Sequence, residues 1–414
     1  MVRLNHFKVS ISGISALAVG APIIEGFLRV LFQISGLQMN SLVSYIDNGL
    51  FAICYLGLIF IEIHKMEHKS LNLAIVISFI MAISFIASII IDPDSVRYSN
   101  DFRAMIFRLP IYIYVGSECL FSEDIIEKIS KYIPVALLYS MLAIFFLNNN
   151  DYSMAVSYYM LPIAIVAYLQ CQEKKTNKYF AITILLALVL LLSGKRMVLL
   201  CYLFYIGADI IVIQHRKSNR VIVAFLTLFV VFIFLFLFDD EIALILLRLF
   251  PDSKAISTYV RGEFFSTSGR NSIYALLISS MKQNPVKVRG LYSDRVFFSY
   301  NYQSLDFWVS DANRYSIYAH NVFLEIVYDY GIIIGGFIVL LLVTRIFGIF
   351  KRLWRTGDLY RKRVILFIFS FAFLPMMVSR SYLAYYYFWI FVGLVFGSGM
   401  KHYQFYKEDK SMRM

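Results

Sequence analysis

The chain has 414 residues, of which 60% are hydrophobic and only 16% charged, with a mean hydropathy of +0.69; a soluble domain carries about a quarter charged residues. Apolar runs of about 20 residues, the length a helix needs to cross the hydrocarbon core, recur nearly end to end, which excludes a cytosolic enzyme and a secreted disulfide scaffold. The net charge of +12 reads as basic loops on the cytoplasmic side of a membrane rather than as a nucleic-acid surface.

In chain order, the predicted spans are roughly 9–32, 45–63, 71–91, 103–121, 132–147, 154–171, 179–194, 196–214, 220–238, 331–350, 364–379 and 382–400, an all-α polytopic membrane protein of about 12 transmembrane helices. The N-terminal run has a basic start at Arg3 and Lys8 and continues past Ala16-Leu17-Ala18, so it is expected to be an uncleaved first span rather than a signal peptide. With the N-terminus inside, 22 basic residues fall on the cytoplasmic side and five, Arg97, Arg103, Lys195, Arg196 and Arg380, on the other. The positive-inside rule then places both termini in the cytoplasm.

The organisation predicted is therefore 1–238 with nine spans, 239–330 as one long extracytoplasmic loop with short surface helices, and 331–414 with three spans and a cytoplasmic tail. Within the loop, Ile273, Leu276, Leu277 and Met281 keep helical spacing and Asn284-Pro285 ends the run. From His320 to Phe350 one helix would measure about 46 Å, too long for a single span, so a break is expected near Asp329-Tyr330-Gly331. The four cysteines, Cys54, Cys119, Cys171 and Cys201, lie in or beside apolar runs without metal-ligand spacing.

Of six histidines only His320 falls on the outer face, at the start of a helix, where a neutral imidazole is favoured and can take a proton from a hydroxyl. The plainer reading is a helix cap. Asn321, Glu325 and Asp329 follow it, either orienting an acceptor or forming a solvated stripe. Ser193-Gly194-Lys195-Arg196 and Ser268-Gly269-Arg270-Asn271 both place cations at the positive end of an outward helix, an arrangement that a bound phosphate oxygen would relieve; the alternative is contact with lipid headgroups.

Inside the spans, Glu25 and Arg29 stand four residues apart, and Arg103 and Arg108 sit towards the outer end of the fourth run. Charges at that depth are costly and therefore functional candidates, against a structural ion pair and snorkelling. Arg380 lies between the last two spans. Asp92-Pro93-Asp94 has the form of a weak metal-holding Asp-X-Asp or of an ordinary turn; no metal site is expected. Tyr385-Tyr386-Tyr387-Phe388-Trp389 reads as an interfacial aromatic belt.

The stretch Ala319-His320-Asn321-Val322-Phe323-Leu324-Glu325, followed by Tyr330-Gly331-Ile332, resembles the O-antigen polymerase and ligase superfamily, as do Ser193-Gly194-Lys195-Arg196 and Ser268-Gly269-Arg270 with Asn284-Pro285 and Gly290-Leu291-Tyr292. The resemblance implies a GT-C-like, metal-independent, inverting glycosyltransferase of the bacterial cytoplasmic (inner) membrane, with its site on the periplasmic face and no cofactor. It implies His320 as acceptor base and Arg196 and Arg270 with Lys195 as pyrophosphate ligands; Asn321, Glu25, Arg29, Arg103, Arg108 and Arg380 stand beside these as secondary candidates read from their positions alone. The partners implied are an undecaprenyl-pyrophosphate-linked donor and acceptor, membrane lipid and a chain-length regulator protein; no nucleic acid is expected. A polymerase is favoured over a ligase. A flippase is the rival from another class, although the polar candidates gather on one face rather than at the midplane between repeated halves.

Overall fold

Apolar runs become helices here because backbone N–H and C=O groups in lipid can be satisfied only within their own segment. The computed structural model describes residues 10–37, 39–63, 65, 68–121, 124–146, 150–192, 196–211, 269–307, 309, 311, 313–355 and 358–397. Among the described residues every regular element is helical: α1 Ile11–Ile34, α2 Asn40–Ile63, α3 Lys69–Ile91, α4 Ser99–Glu118, α5 Ile125–Ser130, α6 Ile133–Phe146, α7 Asn150–Lys174, α8 Asn177–Leu192, α9 Arg196–Asp209, α10 Arg270–Gln283, α11 Ser293–Asn301, α12 Val322–Arg355, α13 Leu359–Ile368 and α14 Phe388–Gly397.

Among the described residues four helices are long and apolar enough to cross a membrane, Ile11–Ile34, Ser41–Ile63, Lys69–Ile91 and Val322–Lys351. The expected ninth span, the first part of the long loop and Lys195 lie outside the described residues. The eleventh run is helical, α13 continuing into a π-helical turn, Phe369–Phe373, and a 3-10 turn, Leu374–Met377; one boundary needs correction. The twelfth run is helical only from Phe388, so residues 378–387 form irregular backbone beneath the loop. The Ser379 carbonyl and the Ser381 hydroxyl bond across to other elements, which satisfies this backbone without helical pairing.

The predicted break is present. Helical backbone geometry fails at Gly331 inside α12, where φ is 74° and ψ 166°, a combination that an L side chain rarely adopts. There the chain also approaches residues 285–287 closely: Ile332 N–H donates to Pro285 O at 2.9 Å, and a Cβ on Gly331 would lie 2.9 Å from Val286 O. The short piece before the break carries Glu325 and Asp329, and the long apolar piece follows it.

One contact fixes the position of the irregular segment. Helices α4 and α14 approach backbone to backbone: a Cβ on Gly116 would stand 1.9 Å from Ile390 O, and one on Gly393 2.1 Å from Ile113 O. Small residues permit this in membrane helices, where dispersion and close packing replace the hydrophobic drive. Upstream of α14, Tyr385 and Tyr387 are buried and donate to Phe371 O at 2.6 Å and Val19 O at 2.7 Å. The expected aromatic belt is instead part of the core.

Leu291, Tyr292 and Tyr315 pack on the turn between α3 and α4. Leu291 N–H donates to Ser88 Oγ at 2.6 Å, the rings of Tyr98 and Tyr292 stack at 4.9 Å, and Tyr98 Oη donates to Tyr315 O at 3.2 Å. A separate cavity of about 270 Å³, lined by Thr344, Arg345, Gly348, Ile349 and Val395, lies well along α12, away from His320.

Candidate functional site

His320 stands immediately before α12 in the left-handed region, with φ 54°, a conformation that costs a non-glycine residue about 1–3 kcal/mol and persists only where the surroundings hold it. They do so on both sides. The preceding Ala319 N–H donates to Asp294 Oδ2 at 2.8 Å. The following Asn321 caps the helix, its Oδ1 accepting from Phe323 N and Leu324 N at 3.0 Å each, while its Nδ2 donates to Met377 O at 2.9 Å. Asn321 is thus a positioning residue rather than part of an exposed stripe.

The ring itself is half-buried. It lies 4.0 Å from the Tyr318 ring, and Nδ1 is 3.4 Å from Ser379 O, a carbonyl that also accepts from Tyr318 Oη at 3.0 Å. A carbonyl can only accept, so a hydrogen on Nδ1 satisfies this contact, and that tautomer leaves the lone pair on Nε2 to accept a proton.

Behind the histidine lies a buried polar network that joins three elements. Asp294, Glu325 and Asp329 are fully enclosed. Ser381 Oγ donates to Glu325, whose other oxygen accepts from Tyr382 N at 3.3 Å; Asp329 accepts from Ser293 Oγ and Tyr382 Oη at 2.8 Å each. Glu325 and Asp329, whose spacing allowed either an acceptor-orienting role or a solvated stripe, are instead the struts that tie the short helix to the irregular segment. Arg295 was not anticipated. It is 6% exposed, donates to Ser381 Oγ at 3.3 Å, stands 3.7 Å from Asp101, and is ringed by Tyr292, Tyr98 and Tyr318 at 4.8, 5.6 and 5.6 Å. The only sequence signal for it is the tyrosine-rich context, since its partners lie far along the chain.

Burial pushes the Asp294 carboxyl above its ordinary range, with Arg295 and its amide donors pulling the other way. Its proton is thus bound more tightly in the folded state. The stabilisation from that proton is fully present below the unfolded value of about 3.9 and is lost as pH rises through the raised folded value. Asp294→Asn should flatten that part of a stability–pH profile. It also leaves one acceptor for two amide donors, at a cost of about 1.5–3 kcal/mol, and should lower kcat more than it changes KM, because the released segment is the one that sets His320. Thermal unfolding against pH together with steady-state kinetics checks both statements.

The remaining candidates divide clearly. Arg270 opens α10 directly after Gly269 and is near enough for its charge to act on Tyr318. Arg196 opens α9. Glu25 and Arg29 form the expected pair at 2.8 Å. Arg108 pairs with Asp47, which comes from α2, and lies 4.6 Å from the Tyr386 ring, so it is internally compensated and does not join the His320 cluster. Arg103 bonds Asn100 at 3.3 Å and is exposed. Asp92 caps the 3-10 turn Pro93–Tyr98 by accepting from Asp94 N at 3.1 Å, and Asp94 bonds Tyr300, which is turn chemistry. Arg380 adjoins Ser379 and stands over the Tyr158 ring at 3.9 Å.

No curated protein and no solved structure matches the chain. Residues 181–340, well under half of the sequence, match the family described as O-Antigen ligase, and this match, which spans Arg196, Arg270 and His320, supports the O-antigen polymerase and ligase superfamily for that stretch.

Proposed function

We propose that the protein is a membrane-embedded glycosyltransferase that polymerises undecaprenyl-pyrophosphate-linked repeat units of O-antigen or capsule at the outer face of the cytoplasmic membrane. The observation that carries the reading is His320, held in the left-handed region with Nδ1 on the Ser379 carbonyl, within a stretch matching O-Antigen ligase. Nε2 takes the proton of the acceptor hydroxyl as that oxygen attacks the anomeric carbon of the donor. The bond to the pyrophosphate oxygen breaks, undecaprenyl pyrophosphate leaves, and the anomeric centre inverts. Arg196 and Arg270, assisted by Lys195, hold the departing diphosphate; guanidinium forks suit its paired oxygens. No metal or cofactor is assigned a role, and a chain-length regulator would act on the product from outside the site.

Arg196→Lys and Arg270→Lys should each lose most activity while remaining folded, since a point charge lacks the planar fork; full activity of both variants would remove them from the site. Polymerase, ligase and flippase are separated by supplying purified protein with lipid-linked repeat units alone. A polymerase produces a ladder of longer lipid-linked glycans. A ligase produces nothing until lipid A core is added, and a flippase produces nothing in either case.

A further inference from the structure

The interior arginines differ in their counter-charges. Arg29 has Glu25 at 2.8 Å and Arg108 has Asp47. Arg295 has Asp101 at 3.7 Å and feels Asp294 and Glu325 as well. Arg380 differs from all three: no described carboxylate pairs with it. Its surroundings are the rings of Tyr158 at 3.9 Å and Tyr385 at 5.9 Å, and its Nε is enclosed without a hydrogen-bond partner among the described residues.

Ring faces offset part of the cost of desolvating a cation, but a guanidinium enclosed in protein with no carboxylate among the described residues beside it is expensive to keep. The position is informative. Arg380 follows Ser379, whose carbonyl orients His320, and precedes Ser381, which bonds Glu325 and Arg295. Its cage includes Tyr158 of α7, a helix that packs on α9. The cation is therefore carried by the segment that sets the histidine and lies against a helix that adjoins the one Arg196 opens.

We propose that Arg380 is a further anion-binding residue of this site, which receives a diphosphate oxygen of the lipid-linked donor from the membrane side and remains uncompensated until that donor arrives. This rests on the glycosyl-transfer reading. A paired structural arginine would behave differently, so two variants separate the cases. Arg380→Gln removes a cation that has no carboxylate to orphan, and the ligand-free protein should unfold at or above the wild-type midpoint. Arg108→Gln leaves Asp47 buried and unpaired and should lower that midpoint.

The binding probes are farnesyl pyrophosphate and inorganic pyrophosphate, titrated calorimetrically against the full chain in nanodiscs. Wild type should bind farnesyl pyrophosphate, and Arg380→Gln should bind it about ten- to a hundredfold more weakly, the loss expected for hydrogen bonds to a charged group. Parallel weakening of inorganic pyrophosphate shows that the diphosphate itself is recognised; unchanged pyrophosphate affinity beside weakened farnesyl pyrophosphate would place Arg380 on the lipid and overturn the assignment. Equal farnesyl pyrophosphate affinity in wild type and Arg380→Gln also overturns it, while a glycan ladder in the same preparation would leave the polymerase reading standing. Failure of wild type to bind either probe would remove both. Destabilisation of ligand-free Arg380→Gln matching that of Arg108→Gln would make Arg380 a structural cation and end the proposal.

Discussion

Replacement of His320 by alanine should reduce the rate of glycan transfer by about 10² to 10⁴, the contribution of a positioned general base, while the protein stays folded and still binds the lipid-linked donor. Folding is expected to survive because the neighbours that shape this turn do not depend on the imidazole. Asn321 still caps α12 and Asp294 still accepts from Ala319, and relief of the left-handed residue is not achieved by alanine, which keeps a Cβ. His320→Gly should lose the same activity with slightly higher stability, since glycine enters that region freely. Single-turnover rates at saturating donor, set beside donor affinity, check the separation of binding from chemistry. A parallel loss of binding and rate would make the histidine a packing residue.

The second large effect lies far from the histidine in sequence. Gly393→Val should sharply reduce the yield of folded protein, because even the first added carbon would stand 2.1 Å from Ile113 O in α4, and backbone cannot yield as a flexible side chain can. Overpacking typically costs about 1–3 kcal/mol and more where backbone must shift. The functional consequence follows from connectivity: α14 is continuous with the segment that carries Ser379 and Ser381, so displaced helices would also misplace the carbonyl on His320 and the strut to Glu325. Gly336→Ala is the control. Its added Cβ meets open space, and alanine is the better helix former by about 1 kcal/mol, so its thermal midpoint should equal or exceed that of wild type. Size-exclusion profiles after a heating series would report both.

The features legible in the sequence are local ones. The break at Gly331 follows from a run too long for one span together with a glycine, the end of α10 from Asn284-Pro285, and the Glu25–Arg29 pair from four-residue spacing. What could not be read depends on pairings between distant segments. Asp47 and Arg108 meet across 61 residues, Arg295 and Ser381 across 86, and Glu325 takes its hydroxyl donor from 56 residues away. For this reason the Glu325 and Asp329 spacing left a wet face open as one of two readings when both are enclosed, and the tyrosines at 385–387 suggested a belt when they are core. A hint was present in Ser379-Arg380-Ser381, a polar triplet between two apolar runs, which is the composition of a segment that must bond elsewhere rather than continue as helix.

The central claim is that the His320 site couples formation of a glycosidic bond to departure of a lipid diphosphate. It is tested most directly by counting both products in one reaction, with purified protein, lipid-linked repeat units and a chelator present. The account predicts one undecaprenyl pyrophosphate released for each new glycosidic bond, with inverted configuration at that bond and both products suppressed together in His320→Ala. Bond formation without matching diphosphate release, or matched release that persists undiminished in His320→Ala, would contradict it.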